Sequence, residues 1–288
     1  MKLRFALILL TFISAGLSQT AFAQDSAALD AALAAQSDEH KARYQYRHPK
    51  ETLEFFGIEP GMAVGEALPG GGWYSKILIP YLGADGSLFA IDYPIAMYGE
   101  FGPNSFANEE FLKKKETWAE DWVETAQAWN PDSTQNITAA TFSSIPDEMA
   151  GTLDAVVYFR ALHNLSRFNE KGGYLDRALA STFKALKPGG IVGVVQHHAR
   201  DDRPDAWANG ENGYLKRGFI VEQFTKAGFQ LVGESDINSN ELDQAKEGDS
   251  VWRLLPSFKP TGDEEADAAI TAIGESNRQT LKFVKPAG

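Results

Sequence analysis

The chain contains no cysteine. Disulfides, thiolate nucleophiles and zinc–cysteine sites are excluded together, and the absence suits an oxidising compartment. No run of about 18 apolar residues is present, so no segment reads as a membrane span. Basic residues are not concentrated anywhere, and with 27 Lys and Arg against 39 Asp and Glu the formal net charge is −12. Such a surface repels a phosphate backbone, which argues against nucleic acid as a partner. Internal repeats are missing too. What remains is 288 residues, 43% of them hydrophobic, enough to bury one large core in a single α/β domain with additions.

The first residues carry the marks of an export signal. Lys2 and Arg4 give a basic start, Phe5 to Leu17 an apolar stretch, and Ala21-Phe22-Ala23 the small-x-small pattern that signal peptidase cuts. The expectation is a signal peptide over residues 1–23, cut after Ala23, and a periplasmic or secreted product. Residues 24–48 are expected as a helical extension and 49–288 as the main domain. In the extension, 26–37 reads as an alanine-rich helix capped by Ser26, followed by the charged, aromatic link Arg43 to Arg47.

Beyond Pro49 the hydrophobic period switches repeatedly between strand and helix. Pro49 to Phe56 reads as a helix stopped by Gly57. Met62 to Leu68 reads as a strand, Trp73 to Leu82 as a helix, Ser87 to Asp92 as a strand and Glu109 to Trp129 as one long helix. Leu153 to Phe159 is an apolar strand. A helix from Tyr174 to Leu186 then stops at Lys187-Pro188-Gly189-Gly190, and Ile191 to Gln196 is the next strand. Ile220 to Ala227 and Phe229 to Ser235 read as helix and strand. Residues 237–277 form a polar excursion, with a helix near Asp263 to Ile273, before a last strand from Thr280 to Val284. Alternation of this kind predicts a mostly parallel sheet covered on both faces, with ligands at the carboxyl ends of its strands.

The strongest local feature is Glu66-Ala67-Leu68-Pro69-Gly70-Gly71-Gly72-Trp73-Tyr74, set between a strand and a helix. Glycines let the backbone approach a ligand, and the helix start after them offers free N–H groups. Asp92 ends the next strand, 26 residues after Glu66. That spacing fits one βαβ unit and puts a carboxylate where ribose hydroxyls would bind.

With these residues the chain resembles the class I S-adenosylmethionine-dependent methyltransferases, and within them a bacterial group with a Pro-Gly-Gly-Gly-Trp-Tyr loop and frequent export signals. The resemblance runs from about Pro49 to Lys285. It includes the stretch from Asp154 to Leu165, with His163 and Asn164, and the turn Leu186 to Gly190. It implies a Rossmann-like three-layer sandwich with a seven-stranded, mostly parallel sheet and an antiparallel last strand. It further implies S-adenosyl-L-methionine as cofactor, with Gly70, Gly71 and Gly72 at its methionine part, Glu66 anchoring the loop or the amino group, and Asp92 on the ribose. Two positions depart from the family pattern. Leu68 stands where glycine is usual, and Ala139 to Ser143 lacks the acid often found near adenine, leaving Phe142 and backbone groups for that role.

Methyl transfer to oxygen or nitrogen needs a positioned lone pair and often a base. His163, after the fourth strand, and His197, after the fifth, are the candidates, since histidine titrates near neutrality. Tyr74, Arg160 and Asn164 are candidates for the substrate pocket, and Arg43, Arg47 and Arg160 could hold an anionic substrate. His197-His198 makes a poor chelate because adjacent residues on a strand point oppositely, so no metal is expected. A small-molecule methyltransferase is the leading expectation. The alternatives are an exported methyltransferase-fold binding protein without turnover and, from Gly70-x-Gly72-x-x-Ser75, a dinucleotide enzyme.

Overall fold

The computed structural model describes residues 25–131 and 133–288, so the expected signal segment and its cut site lie outside the described residues. Helix α1 covers residues 25–34. Two single-turn helices follow, α2 (Asp38–Lys41) and α3 (Tyr44–Arg47), then α4 (Pro49–Phe56). Ser26 lies inside α1 rather than at its start. The cap in this stretch is Ser37, whose hydroxyl accepts from the His40 N–H and opens α2. Pro49 sits in the first turn of α4 and Gly57 ends it at φ 73°, as the sequence implies.

The central elements are β1 (Ala63–Ala67), α5 (Ser75–Leu82), β2 (Ser87–Asp92), α6 (Ile95–Gly99), α7 (Glu109–Lys115), α8 (Trp118–Ala128) and β3 (Asn136–Thr141). Next come β4 (Leu153–Phe159), α9 (Leu162–Arg167), α10 (Asn169–Gly172), α11 (Tyr174–Ala185) and β5 (Leu186–Ala199). The chain finishes with β6 (Leu215–Lys216), α12 (Arg217–Lys226), β7 (Gln230–Ser235), α13 (Glu264–Ile273) and β8 (Arg278–Val284). None of the described helices is long and apolar enough to cross a membrane.

Seven strands form one path in the order β3-β2-β1-β4-β5-β8-β7, with the two-residue β6 added beside β5. Pairing is parallel from β3 through β5, and β8 runs antiparallel to both of its neighbours. Side chains alternate across the sheet. Val156 and Tyr158 of β4 enter one core cluster, with α9, α11 and α12, while Ala155, Val157 and Phe159 enter the other, with α4, α5 and α8. Both faces are therefore covered, which is why β4 is apolar almost throughout.

Two elements differ from expectation. The helix expected from Glu109 to Trp129 is broken at Glu116-Thr117. Phe111 and Leu112 of α7 pack against the first cluster and Trp118 and Trp122 of α8 belong to the second, so one straight helix could not serve both. The expected turn at Lys187-Pro188-Gly189-Gly190 lies within β5. Leu186 pairs with Leu153 and Ile191 with Ala155, so the extra residues form a bulge, with Gly189 at φ 79°.

Candidate active site

A cavity of about 460 Å³ opens at the carboxyl ends of β1 and β4. From β1 the chain passes through β2 to the β3 edge, whereas β4 and β5 lie on the other side. The cavity thus sits at the topological switch point, where open α/β sheets bind ligands.

The backbone is strained there. Leu68, directly after β1, has φ 54°, and Arg160, directly after β4, has φ 60°. Each extends the sheet ladder by one bond, Leu68 N–H donating to Ile91 and Arg160 N–H to Val195 (both 2.7 Å), and then turns left-handed. Left-handed geometry costs a non-glycine residue roughly 1–2 kcal/mol. Leu68 therefore holds a conformation that suits glycine, at the expense of strain.

The loop after Leu68 divides into two parts. Gly70 and Gly71 are exposed, line the cavity and have nothing within 4 Å of a built Cβ. Gly72 is outside the cavity. It holds φ 75°, and a Cβ there would lie 2.0 Å from the Trp129 ring. This corrects the expectation that all three glycines face a ligand. Gly72→Ala is expected to lower unfolding free energy by about 2–4 kcal/mol from overpacking and left-handed strain, read by urea titration. A loss under about 0.5 kcal/mol would show that Trp129 yields freely.

Glu66 ties the loop together. It is buried, accepts a hydrogen bond from the Ser75 hydroxyl at 2.5 Å, and is pushed up to about 7 by burial.

Asp92 is placed differently from expectation. It does not line the cavity and is only 2% exposed. Lys115 Nζ donates to one oxygen at 2.5 Å, and Tyr98 Oη and Tyr93 N–H donate to the other at 2.7 and 2.8 Å. Both oxygens are already engaged by the chain itself. Phe142 is likewise in the core, 6.1 Å from the Tyr158 ring and away from the cavity. Tyr74 stacks on Phe159 at 3.4 Å and donates to the Arg47 carbonyl at 3.2 Å, so it supports the wall from behind. Asn164, on α9, stands beside the Tyr93 hydroxyl and not in the cavity.

His163 and His197 do come together on the wall, with ring centroids 5.7 Å apart. Burial, followed by the charge on Arg160, pushes His163 down to about 4, and its Nδ1 has no partner within the protein. His197 shares a 2.5 Å hydrogen bond between Nδ1 and the Ser276 hydroxyl, and burial holds it well below the ordinary histidine range. Both rings are neutral at pH 7 and available as proton acceptors.

The remaining wall comes from segments that sequence patterning left as additions. His40, Arg43 and Arg47 enter from the N-terminal extension, and Val251 to Ser257 and Glu275 to Arg278 from the late excursion. Glu275, 2% exposed, accepts from Arg43 Nε at 2.7 Å, from Arg47 Nε at 3.2 Å and from Arg278. Trp73 is stacked with the His40 ring and also meets the Arg47 guanidinium, each 4.4 Å from it. Arg160 and Lys76 have no carboxylate partner among the described residues. Among those residues, too, no group of three His, Asp or Glu is arranged to hold a metal.

No family model and no curated sequence matches the chain. Solved structures do. The cyclase SpnF is 17% identical with a TM-score of 0.51, over 84% of this chain and 82% of that one. An S-adenosylmethionine-dependent methyltransferase from Aquifex aeolicus is 14% identical with a TM-score of 0.47, over 85% and 93%. A geranyl diphosphate methyltransferase in complex with S-adenosylmethionine is 14% identical with a TM-score of 0.48, over 85% and 86%. This chain has the Rossmann-like methyltransferase fold. At such identities the likeness stops at the fold, and a cyclase shares it, so the methyltransferase fold alone does not choose the reaction. The reaction must be argued from the cavity.

Proposed function

We propose that this protein is an S-adenosylmethionine-dependent methyltransferase of a small molecule, exported through its N-terminal signal. The reading is carried by one observation: Gly70 and Gly71 open at the switch point onto the cavity that holds His163 and His197. The cofactor supplies an electrophilic methyl group on a sulfonium. The cavity's own residues bind and orient the acceptor, and neutral His163, buried and with Nδ1 free, takes up a proton.

The fit to the cofactor is divided. The glycine loop suits its methionine end. The far end does not fit a ribose as it stands, because Lys115, Tyr98 and the Tyr93 N–H occupy both oxygens of Asp92. That closure is also what favours the second reading, a binding protein of the same fold without turnover.

Titration calorimetry with S-adenosylhomocysteine and NAD, on the wild type and Lys115→Met, decides between them. On the methyltransferase reading S-adenosylhomocysteine binds, NAD does not, and Lys115→Met binds the nucleoside about tenfold more tightly because the closed arrangement no longer competes. Circular dichroism checks that the variant is folded. If neither protein binds the nucleoside, the methyltransferase reading is lost.

A further inference from the structure

The wall of the cavity is charged against the sign of the molecule. Arg43, Arg47, Lys76, Arg160 and Arg278 line it with Glu275 as the single carboxylate, a formal +4 on a chain whose net charge is −12. One carboxylate has two oxygens, whereas three guanidinium groups converge on it with five donors each. The demand for acceptors is unmet. Arg47 is 2% exposed, and its Nη1 has no hydrogen-bond partner in the protein. Trp73 Nε1, on the same wall, is a buried donor without a partner as well. A buried donor left unpaired is costly, so two facing one space indicate that something other than the chain satisfies them.

Another part of the wall is apolar. Trp73, Phe159, Val251, Trp252, Leu255 and Pro256 face the same space, and Trp252 stays 42% exposed at its rim. An inorganic anion would use the arginines and leave these surfaces idle. A volume of about 460 Å³ accommodates one ring with its substituents.

We propose that this cavity binds a small organic anion, with a carboxylate or phosphate head on Arg47, Arg160 and Arg278 and an aromatic or apolar body against Trp73 and Trp252. The head supplies the oxygens that Glu275 lacks, and Arg160, which has no acid partner, is the guanidinium free to turn to it. Burial and the neighbouring Arg160 push Arg47 down to about 8, and burial with Arg278 pushes Arg160 down to about 10. Both shifts mark a site with too little negative charge, which an entering anion relieves. Anion binding stands on the wall itself. Its assignment as the acceptor site rests on the methyl-transfer reading.

The test is titration calorimetry of the full chain with benzoate, phenyl phosphate, benzamide and inorganic phosphate. The wild type is expected to bind benzoate or phenyl phosphate at least tenfold more tightly than neutral benzamide and than inorganic phosphate, the better of the first two naming the head group. Arg160→Gln removes the charge without breaking an ion pair and is expected to weaken that binding about tenfold to a hundredfold. Arg217→Gln, a surface arginine paired with Glu234, is the folded control and should bind as the wild type does. The proposal is overturned if benzamide equals benzoate, if inorganic phosphate equals phenyl phosphate, or if Arg160→Gln binds normally. Competition from S-adenosylhomocysteine would assign the arginines to the cofactor's own carboxylate and sink the acceptor assignment. Tight benzoate binding with no nucleoside binding at all would uphold the anion site while removing the methyl-transfer reading.

Discussion

Glu275→Gln is expected to lower the unfolding free energy by about 3–5 kcal/mol at pH 7, the largest loss from any single change at the cavity. Glu275 is 2% exposed and neutralises three guanidinium groups from two distant segments, two of them also 2% exposed on the side chain. Burial would raise its carboxyl, but Arg278, Arg47 and Arg43 outweigh it and bring the group down to about 2. Glutamine keeps the shape and one acceptor and removes the charge. Arg47 and Arg278 would then be buried without compensation, with Arg43 and Arg160 close by. Removing one partner of a buried pair costs far more than the pair contributes, because the other charge has already lost its water. Urea titration gives the number directly. A ligand that binds only the folded protein should restore part of the loss, so benzoate or phenyl phosphate should stabilise this variant more than the wild type. A loss under 1 kcal/mol would mean that water already reaches the arginines and that the cluster is not an internal one.

The parts of the fold that were legible in the sequence are those in which local pattern and tertiary role agree. Pro49 and Gly57 bound α4, and β1, α5 and β2 follow one another with their periods intact. The break between α7 and α8 was not legible, because no glycine or proline marks it. It follows from two core clusters pulling the apolar residues apart. The site divides in the same way. Arg160 directly follows β4, His163 lies in the first turn of α9 and His197 within the last residues of β5, all near the carboxyl ends where the βαβ pattern puts a site. Glu275 meets Arg43 across 232 residues, and neither the polar excursion nor the extension carries a periodic signal that would join them. The spacing of Asp92 was legible too. Its occupant was not, since Lys115 reaches it from a helix 23 residues further on. For Gly72 the sequence shows only a glycine, and the ring that requires it, Trp129, arrives from the far end of α8.

Acidification from pH 7 to 4.5 is expected to lower the unfolding free energy by about 2–4 kcal/mol, before most surface carboxylates are protonated. His163 is 7% exposed and burial, with Arg160, pushes it from 6.5 to about 4. His197, equally buried, is pushed well below 6.5 by burial and then by His163. In the unfolded chain both bind a proton as pH falls through 6.5, while the folded protein excludes it. The unfolded state therefore holds more protons, and stability falls with pH at about 1.4 kcal/mol per unit for each ring. His40, pushed down to about 4 by burial and Lys76, adds a smaller amount from the rim. Glu66 has the opposite sign. Raised from 4.5 to about 7, it holds a proton in the folded state that the unfolded chain has lost, so its contribution is present below 4.5 and disappears as pH rises to 7. It offsets about one histidine. Below 4.5, Glu275 joins the histidines, since its stabilisation is lost as pH falls from 4.5 toward 2. Urea titrations at pH 7 and 4.5 measure the net change, and His163→Asn should reduce it by roughly the share of one ring. Equal stability at the two pH values would mean that the folded cavity admits the protons, which four surrounding arginines should prevent.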